Sequence, residues 1–322
     1  MANITYWNAV GAAWDRMKLI LFQPFNIEKW FVMGFAAWIA GLSSGGGGGG
    51  GGSGAHGGPN GNQFNGDGFA EFWHTYGALI LTIGTIVFMI ILVISLVMAW
   101  LHARGRFIFL DNLIYNRAAI VEPWKKYRKQ GNSLFLWNVA IGFIGLLFIL
   151  PIIAVMVLSI LPMVREDAPL ASGLAGLIFA ALLIFIYSIV MGYLQMLVHD
   201  FVVPIMLKYD LRIREAWSRF GPVLRPAFGH FVIYGLMIFV VNLLISTAIM
   251  VAVFASCCLL LLILIIPYIS TVVLLPAHVF RRWIGIEFLR QFDEHIDDIV
   301  PIPETTDEIP ATDLPPPPPT EA

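Results

Sequence analysis

Long apolar runs separated by short polar segments dominate the chain. A helix needs about 20 apolar residues to cross roughly 30 Å of hydrocarbon. Five runs meet that length plainly and a sixth is short. They predict transmembrane helices near residues 28–42 (the short one), 77–101, 134–164, 170–198, 227–252 and 256–280. Pro151, Pro267 and Pro276 fall inside such runs and are expected to kink their helices without preventing insertion, because neighbouring helices satisfy the freed backbone groups.

A second pattern precedes the first, third and fifth runs. An apolar residue is followed four positions later by Trp and three positions after that by a bulky apolar residue: Val10-Trp14-Met17, Ile120-Trp124-Tyr127 and Ile213-Trp217-Phe220. Spacings of four and three put these side chains on one helix face. Polar or charged residues follow each Trp: Asp15-Arg16, Lys125-Lys126 and Ser218-Arg219. Amphipathic helices with Trp on one side and cations on the other suit the headgroup layer, which makes Trp14, Trp124 and Trp217 candidate interfacial anchors. IVEPWKKY at 120–127 and IREAWSRF at 213–220 are the closest pair, and His102, His199 and His278 end the even-numbered runs. The predicted fold is all-α: a polytopic membrane protein of about six transmembrane helices in three pseudo-repeats, each preceded by an interfacial amphipathic helix. Against the repeat stands the general tendency of membrane proteins to place Trp and Arg at their interfaces.

Composition agrees with a lipid environment. Soluble domains carry roughly 25% charged residues, whereas this chain carries 12%, with 58% hydrophobic residues and a mean hydropathy of +0.80. The net charge of -2 conceals an asymmetry, since residues 291–322 hold nine acids and no Lys or Arg. All but one of the 19 Lys and Arg residues fall before or at the very start of the first run, in the second and fourth loops, or after the sixth run; Arg165 is the exception. Cations are retained on the cytoplasmic side during insertion, so both termini are expected in the cytoplasm and the protein in the plasma (inner) membrane. The rival is a cleaved signal peptide over 31–42, which the 29-residue polar lead and its place in the repeat disfavour.

Residues 1–292 therefore read as a membrane domain containing a disordered, Gly-rich outer loop at about 43–72. Residues 293–322 read as a disordered acidic tail ending in Pro315 to Pro319. That tail invites a proline-recognising protein partner; simple solvation is the plainer expectation. The Gly-rich loop has no Lys or Arg and so is no phosphate loop. Adjacent Cys257 and Cys258 offer neither a disulfide framework nor a zinc site. No catalytic residue, metal or cofactor is predicted, and the scattered cations do not suggest a nucleic-acid partner.

Lys125, Lys126, Arg128 and Lys129, with Arg212, Arg214 and Arg219, are the candidate lipid-headgroup contacts. Each such cation near an anionic surface contributes about 1 kcal/mol, although the same charges also serve simply to set topology. Mid-run Asn138, Gln195 and Asn242 suit interhelical hydrogen bonding or a polar path. His199-Asp200 has the composition of a base and its orienter, but neighbours on an α-helix point apart.

With the Trp repeats and the segment HDFVVPIMLKYDLRIREAWSRF at 199–220, the chain resembles an uncharacterised family of six-span prokaryotic membrane proteins. These are similar to the membrane domain accompanying glycerophosphodiester phosphodiesterases. The likeness runs from about residue 4 to 292 and includes FLRQFD at 288–293. It implies an architecture and a plasma-membrane setting and carries over no catalytic residue, because that chemistry belongs to a separate soluble domain. A non-enzymatic, lipid-associated scaffold or envelope component is the leading expectation. A small transporter or channel built from pseudo-repeats is the alternative, and a membrane enzyme using His199 and Asp200 is a third.

Overall fold

The computed structural model describes residues 5–23, 25–42, 66–164, 170–257 and 259–292, and the side chains of these outside 66–73 and 162–172. The acidic tail and most of the Gly-rich stretch lie outside the described residues. Residues 66–72, expected in the outer loop, are instead the first turns of a helix.

Among the described residues all regular structure is helical. The helices are α1 (Tyr6–Phe22), α2 (Ile27–Gly41), α3 (Gly66–Ile114), α4 (Val121–Lys126), α5 (Arg128–Val164), α6 (Leu170–Leu197), α7 (Val203–Tyr209), α8 (Ile213–Leu224), α9 (Phe228–Ala255), α10 (Leu259–Leu264), α11 (Pro267–Val273) and α12 (Leu275–Arg290), with a π-helical turn at Val198–Val202 joining α6 to α7. Four stretches are long and apolar enough to cross a bilayer: His74–Ile114, Arg128–Leu161, Gly173–Tyr209 and Phe228–Ala255. Their apolar surfaces are largely uncovered, and every residue over 78–98 of α3 is exposed around the full circumference of the helix. A soluble protein buries such surface, so these helices make this a membrane protein.

The other two predicted spans are different. Residues 28–42 form α2, only 15 residues long. It runs antiparallel to the end of α3, with Lys29 Nζ bonded to Asn116 at 2.5 Å and Ile39–Ala40 against Gly105. Residues 256–280 are broken into α10, α11 and the start of α12. Pro267 and Pro276 account for the breaks: each lies in the first turn of a new helix, where a missing N–H costs nothing. Pro151, by contrast, lies within uninterrupted α5.

The well-packed core is a base at one end of the long helices. It collects the ends of α3 and α6, the π-turn, α7 and α12, with α1, α4 and α8 wrapped around them. The three wrapping helices are those predicted from the Trp pattern. Their last pattern residues, Met17, Tyr127 and Phe220, are all buried. Trp14, in contrast, is 50% exposed and packs edge-on against Phe280, while partly buried Trp124 meets Trp100 and Trp217 meets Trp137. The buried face thus points into protein, and each Trp sits at its edge.

The wrapping follows one rule. α4 packs on α3, α8 packs on α7 and the π-turn, and α1 packs on α12. Each wrapping helix therefore lies on the end of the helix preceding it in the chain, with the first closing onto the last. The second position after each Trp makes a corresponding contact: Arg16 with Glu287 at 2.5 Å, Lys126 over Tyr115 and Tyr127, and Arg219 over Tyr209 at 3.6 Å. The chain ends meet too, with Thr5 N donating to Gln291 Oε1 at 3.0 Å.

Candidate functional site

Two groups of side chains have chemical character: a buried polar cluster inside the base and exposed cations around it. The buried group corrects the sequence reading. Arg104 and Arg106 were expected in a loop after the second span, but α3 continues unbroken through them to Ile114, and both are buried with His102, Asp111 and Asn112. Asp111 accepts from Arg117 Nη2 at 2.7 Å and from the Tyr127 hydroxyl at 2.8 Å. Arg117 also donates to Glu122 at 2.8 Å, and these charged hydrogen bonds raise its pKa.

The second correction concerns His199 and Asp200. Consecutive α-helical side chains diverge by about 100°, yet His199 Nδ1 lies 2.7 Å from Asp200 Oδ1. Both residues lie in the π-turn, a departure from regular α-helix that occurs often at functional positions. Asp200 Oδ2 accepts from the Tyr234 hydroxyl at 3.1 Å. Arg282 of α12 donates Nη1 to the His199 carbonyl, lies 2.8 Å from His199 Nδ1 and stands 3.8 Å from Asp200 Oδ1. His199 Nδ1 can serve only one partner at a time, donating to Asp200 when protonated and accepting from Arg282 when not. Burial pulls the Arg282 pKa down to about 10, and Asp200 opposes the shift. Gly285 makes the close packing of α12 on the π-turn available, since a Cβ there would lie 3.0 Å from Asp200 Cβ.

The three run-ending histidines do not assemble. His102 is held by the backbone of Ile39, His199 is bound as above, and His278 faces Arg281. Among the described residues no group of three His, Cys, Asp or Glu has a metal-holding arrangement. Cys257 is exposed at the turn after α9.

The exposed group comprises the predicted headgroup contacts. Lys125, Lys126, Arg128 and Lys129 are all exposed on α4 and the start of α5, and Arg212, Arg214 and Arg219 are exposed on and beside α8. The structure gathers them in two sets rather than one, each at the foot of a long apolar helix. Leu136, seven residues beyond Lys129 on α5, is 68% exposed; Phe228, which opens α9, is likewise exposed. Of the mid-run amides, Asn138 has a buried Oδ1 with no hydrogen-bond partner among the described residues, and Gln195 and Asn242 are half-buried. A cavity of about 380 Å³ lies at the rim of the base, lined by Thr5, Asn8, Ala9, Ala12, Glu287, Arg290 and Gln291.

A family model described as "Family of unknown function (DUF7544)" matches residues 5–293. No curated protein and no solved structure matches the chain. The expected likeness to an uncharacterised family holds at that level, while nothing in these comparisons ties the chain to the membrane domain that accompanies glycerophosphodiester phosphodiesterases.

Proposed function

The chain belongs to this family of unknown function, and we propose that it is a non-enzymatic, lipid-associated scaffold or envelope component of the plasma membrane. In this reading it makes six crossings with both ends cytoplasmic. Its base grips anionic headgroups through Lys125, Lys126, Arg128 and Lys129, with Arg212, Arg214 and Arg219 as a second set. Three like units around one axis underlie the arrangement. The cyclic packing of α4 on α3, α8 on α7 and α1 on α12 supports that symmetry, and the meeting of Thr5 with Gln291 supports an even number of crossings.

The observation that carries the reading is the position of the exposed cations. Lys129 stands about 10 Å along α5 from exposed Leu136. Cations one to two turns from the start of an exposed apolar surface sit where headgroups lie. The test is native mass spectrometry of the detergent-purified protein, comparing it with a variant reversed to Glu at Lys125, Lys126, Arg128 and Lys129. Loss of retained anionic lipid with an unchanged unfolding midpoint is expected. Equal retention in both proteins would overturn the proposal.

A second reading, a small transporter or channel, draws on the ionisable side chains buried where the inner helices meet. Ionisable groups near the bilayer are costly and tend to mark solute paths. Solute flux in proteoliposomes that vanishes in Asp200→Asn would favour it over the scaffold.

A further inference from the structure

Several arginines of the base have a carboxylate partner. Arg16 and Arg290 meet Glu287, Arg117 meets Asp111 and Glu122, and Arg282 stands beside Asp200. Arg212, Arg214, Arg219 and Arg225, on α8 and at its two ends, are all exposed, and none is ion-paired among the described residues. Water solvates exposed guanidinium groups, so what marks this helix is uncompensated charge rather than a missing bond. Residues 212–225 hold these four cations and a single acid, Glu215, whose carboxylate accepts from the Arg212 backbone N–H at 3.0 Å. The Arg219 guanidinium lies 3.6 Å above the Tyr209 ring, which limits its range.

The chain itself supplies the opposite charge beside this helix. After α12 the Phe292 ring stacks on Phe231 of α9 at 5.1 Å, and Phe231 packs edge-on against Phe220 of α8 at 5.4 Å. Two ring contacts therefore separate α8 from Phe292, the last of the described residues. The next six residues, DEHIDD at 293–298, carry four acids and no Lys or Arg. Fully extended they reach about 20 Å, and the twelve residues of α8 cover about 18 Å. Tethering at that distance gives the acids an effective concentration on the order of millimolar at the arginines. An arginine fork donates two parallel hydrogen bonds to a carboxylate, a geometry that the ammonium of lysine lacks. Lys125, Lys126, Arg128 and Lys129 offer one such fork, whereas α8 and its ends offer four.

We infer that the exposed arginines of α8 are the docking surface for residues 293–298 of the same chain, with Asp293, Glu294, Asp297 and Asp298 taken as a group by Arg212, Arg214, Arg219 and Arg225. The docked segment and an anionic headgroup need the same donors. The segment thus keeps the second cation set closed until lipid displaces it, and leaves the set on α4 and α5 open. That competition rests on the headgroup reading proposed above; the docking does not.

The test uses the full-length protein in a nonionic detergent, with Cys257 and Cys258 replaced by Ser and a nitroxide label on Ile296→Cys, between the two pairs of acids. At about 50 mM sodium chloride the electron paramagnetic resonance spectrum should show an immobilised label. About 500 mM sodium chloride should release at least half of it, because salt screens exposed ion pairs and leaves the apolar Phe292 anchor in place. A variant carrying Arg212→Gln, Arg214→Gln, Arg219→Gln and Arg225→Gln should show the released spectrum already at low salt. The fourfold Glu variant of 125, 126, 128 and 129 should keep the immobilised one. Should the Gln variant fail to fold, Asp293→Asn, Glu294→Gln, Asp297→Asn and Asp298→Asn together must release the label in the same way. The docking is overturned by a label that tumbles freely at low salt in the parent, by an immobilised label in either neutralised variant, or by release in the fourfold Glu variant. Phosphatidylglycerol titrated into the parent micelles reads the competition separately. It should release the label where phosphatidylcholine does not, and a label retained against phosphatidylglycerol overturns the competition while the docking stands.

Discussion

Arg16 of α1 and Glu287 of α12 are paired at 2.5 Å, which fastens the first helix of the chain to the last. Glu287 is buried and is also held by Arg290 at 3.0 Å, and the Arg16 guanidinium lies over the Trp283 ring at 4.8 Å. Arg16→Met should therefore leave Glu287 only partly satisfied and cost about 1–3 kcal/mol. Thermal unfolding in detergent reads this as a lower midpoint, and Arg16→Lys should recover part of the loss. An unchanged midpoint in Arg16→Met would mean that the closure contributes nothing to stability.

Tyr127 gives the base an alkaline limit. Burial, helped by the Asp111 carboxylate that its hydroxyl faces, raises the phenol pKa above its ordinary value of 10.0. The folded state keeps a proton that the unfolded chain loses, so this contribution is fully present at neutral pH and fades as pH climbs above 10. Tyr127→Phe should be less stable than the parent by about 1–3 kcal/mol at pH 7. It should also lose less additional stability between pH 10 and 11. Midpoints measured from pH 8 to 11 check both; parallel pH curves for the two proteins would refute the assignment.

Two glycines on α3 make a matched pair. A Cβ on Gly105 would lie 2.8 Å from the backbone of Ile39 and Ala40, whereas one on Gly84 would meet nothing within 4 Å. Gly105→Ala must push α2 away from α3 and should lower the unfolding midpoint markedly. Gly84→Ala should be neutral or stabilising by up to about 1 kcal/mol, the helix-propensity difference. Similar midpoints in the two variants would contradict the close α2–α3 approach.

Side-specific labelling tests the topology. With Cys257 and Cys258 replaced by Ser, single cysteines at Thr5 and Arg225 should react with an impermeant maleimide from the same face of oriented vesicles, the cytoplasmic one. Opposite faces would break the even crossing number, and shared labelling from outside would invert the orientation.

The strongest hydrophobic signal was fully legible. α5, α6 and α9 begin or end within a few residues of the predicted runs, because lipid imposes length and apolarity alone. The Trp pattern also carried geometric content: Met17, Tyr127 and Phe220 are buried at its third position. What sequence obscured was the base. HARGRFIFLD at 102–111 resembles a polar loop following a span, since charge marks the end of hydrocarbon. Nothing local reveals that Arg106 will be buried within electrostatic reach of residues 94 and 176 positions further along, Asp200 and Arg282. The meeting of His199 with Asp200 was hidden for a different reason, since a π-turn is a departure from the periodicity on which the reading relied. The arginine cluster had one faint signal, the recurrence of Arg four residues after His at His102–Arg106 and His278–Arg282.

The continuity of α3 has a mechanical consequence. Its 49 residues make a rod about 74 Å long, clamped at Gly105 and Asp111 and exposed at every residue over 78–98. A tilt of about 5° at the clamp swings the far end, Gly66, by about 5 Å. Membrane helices meet changes in bilayer thickness by tilting. α3 thus has the shape of a lever whose short arm ends among the charges of the base, so that a change in its tilt would act on the segment that holds Arg106.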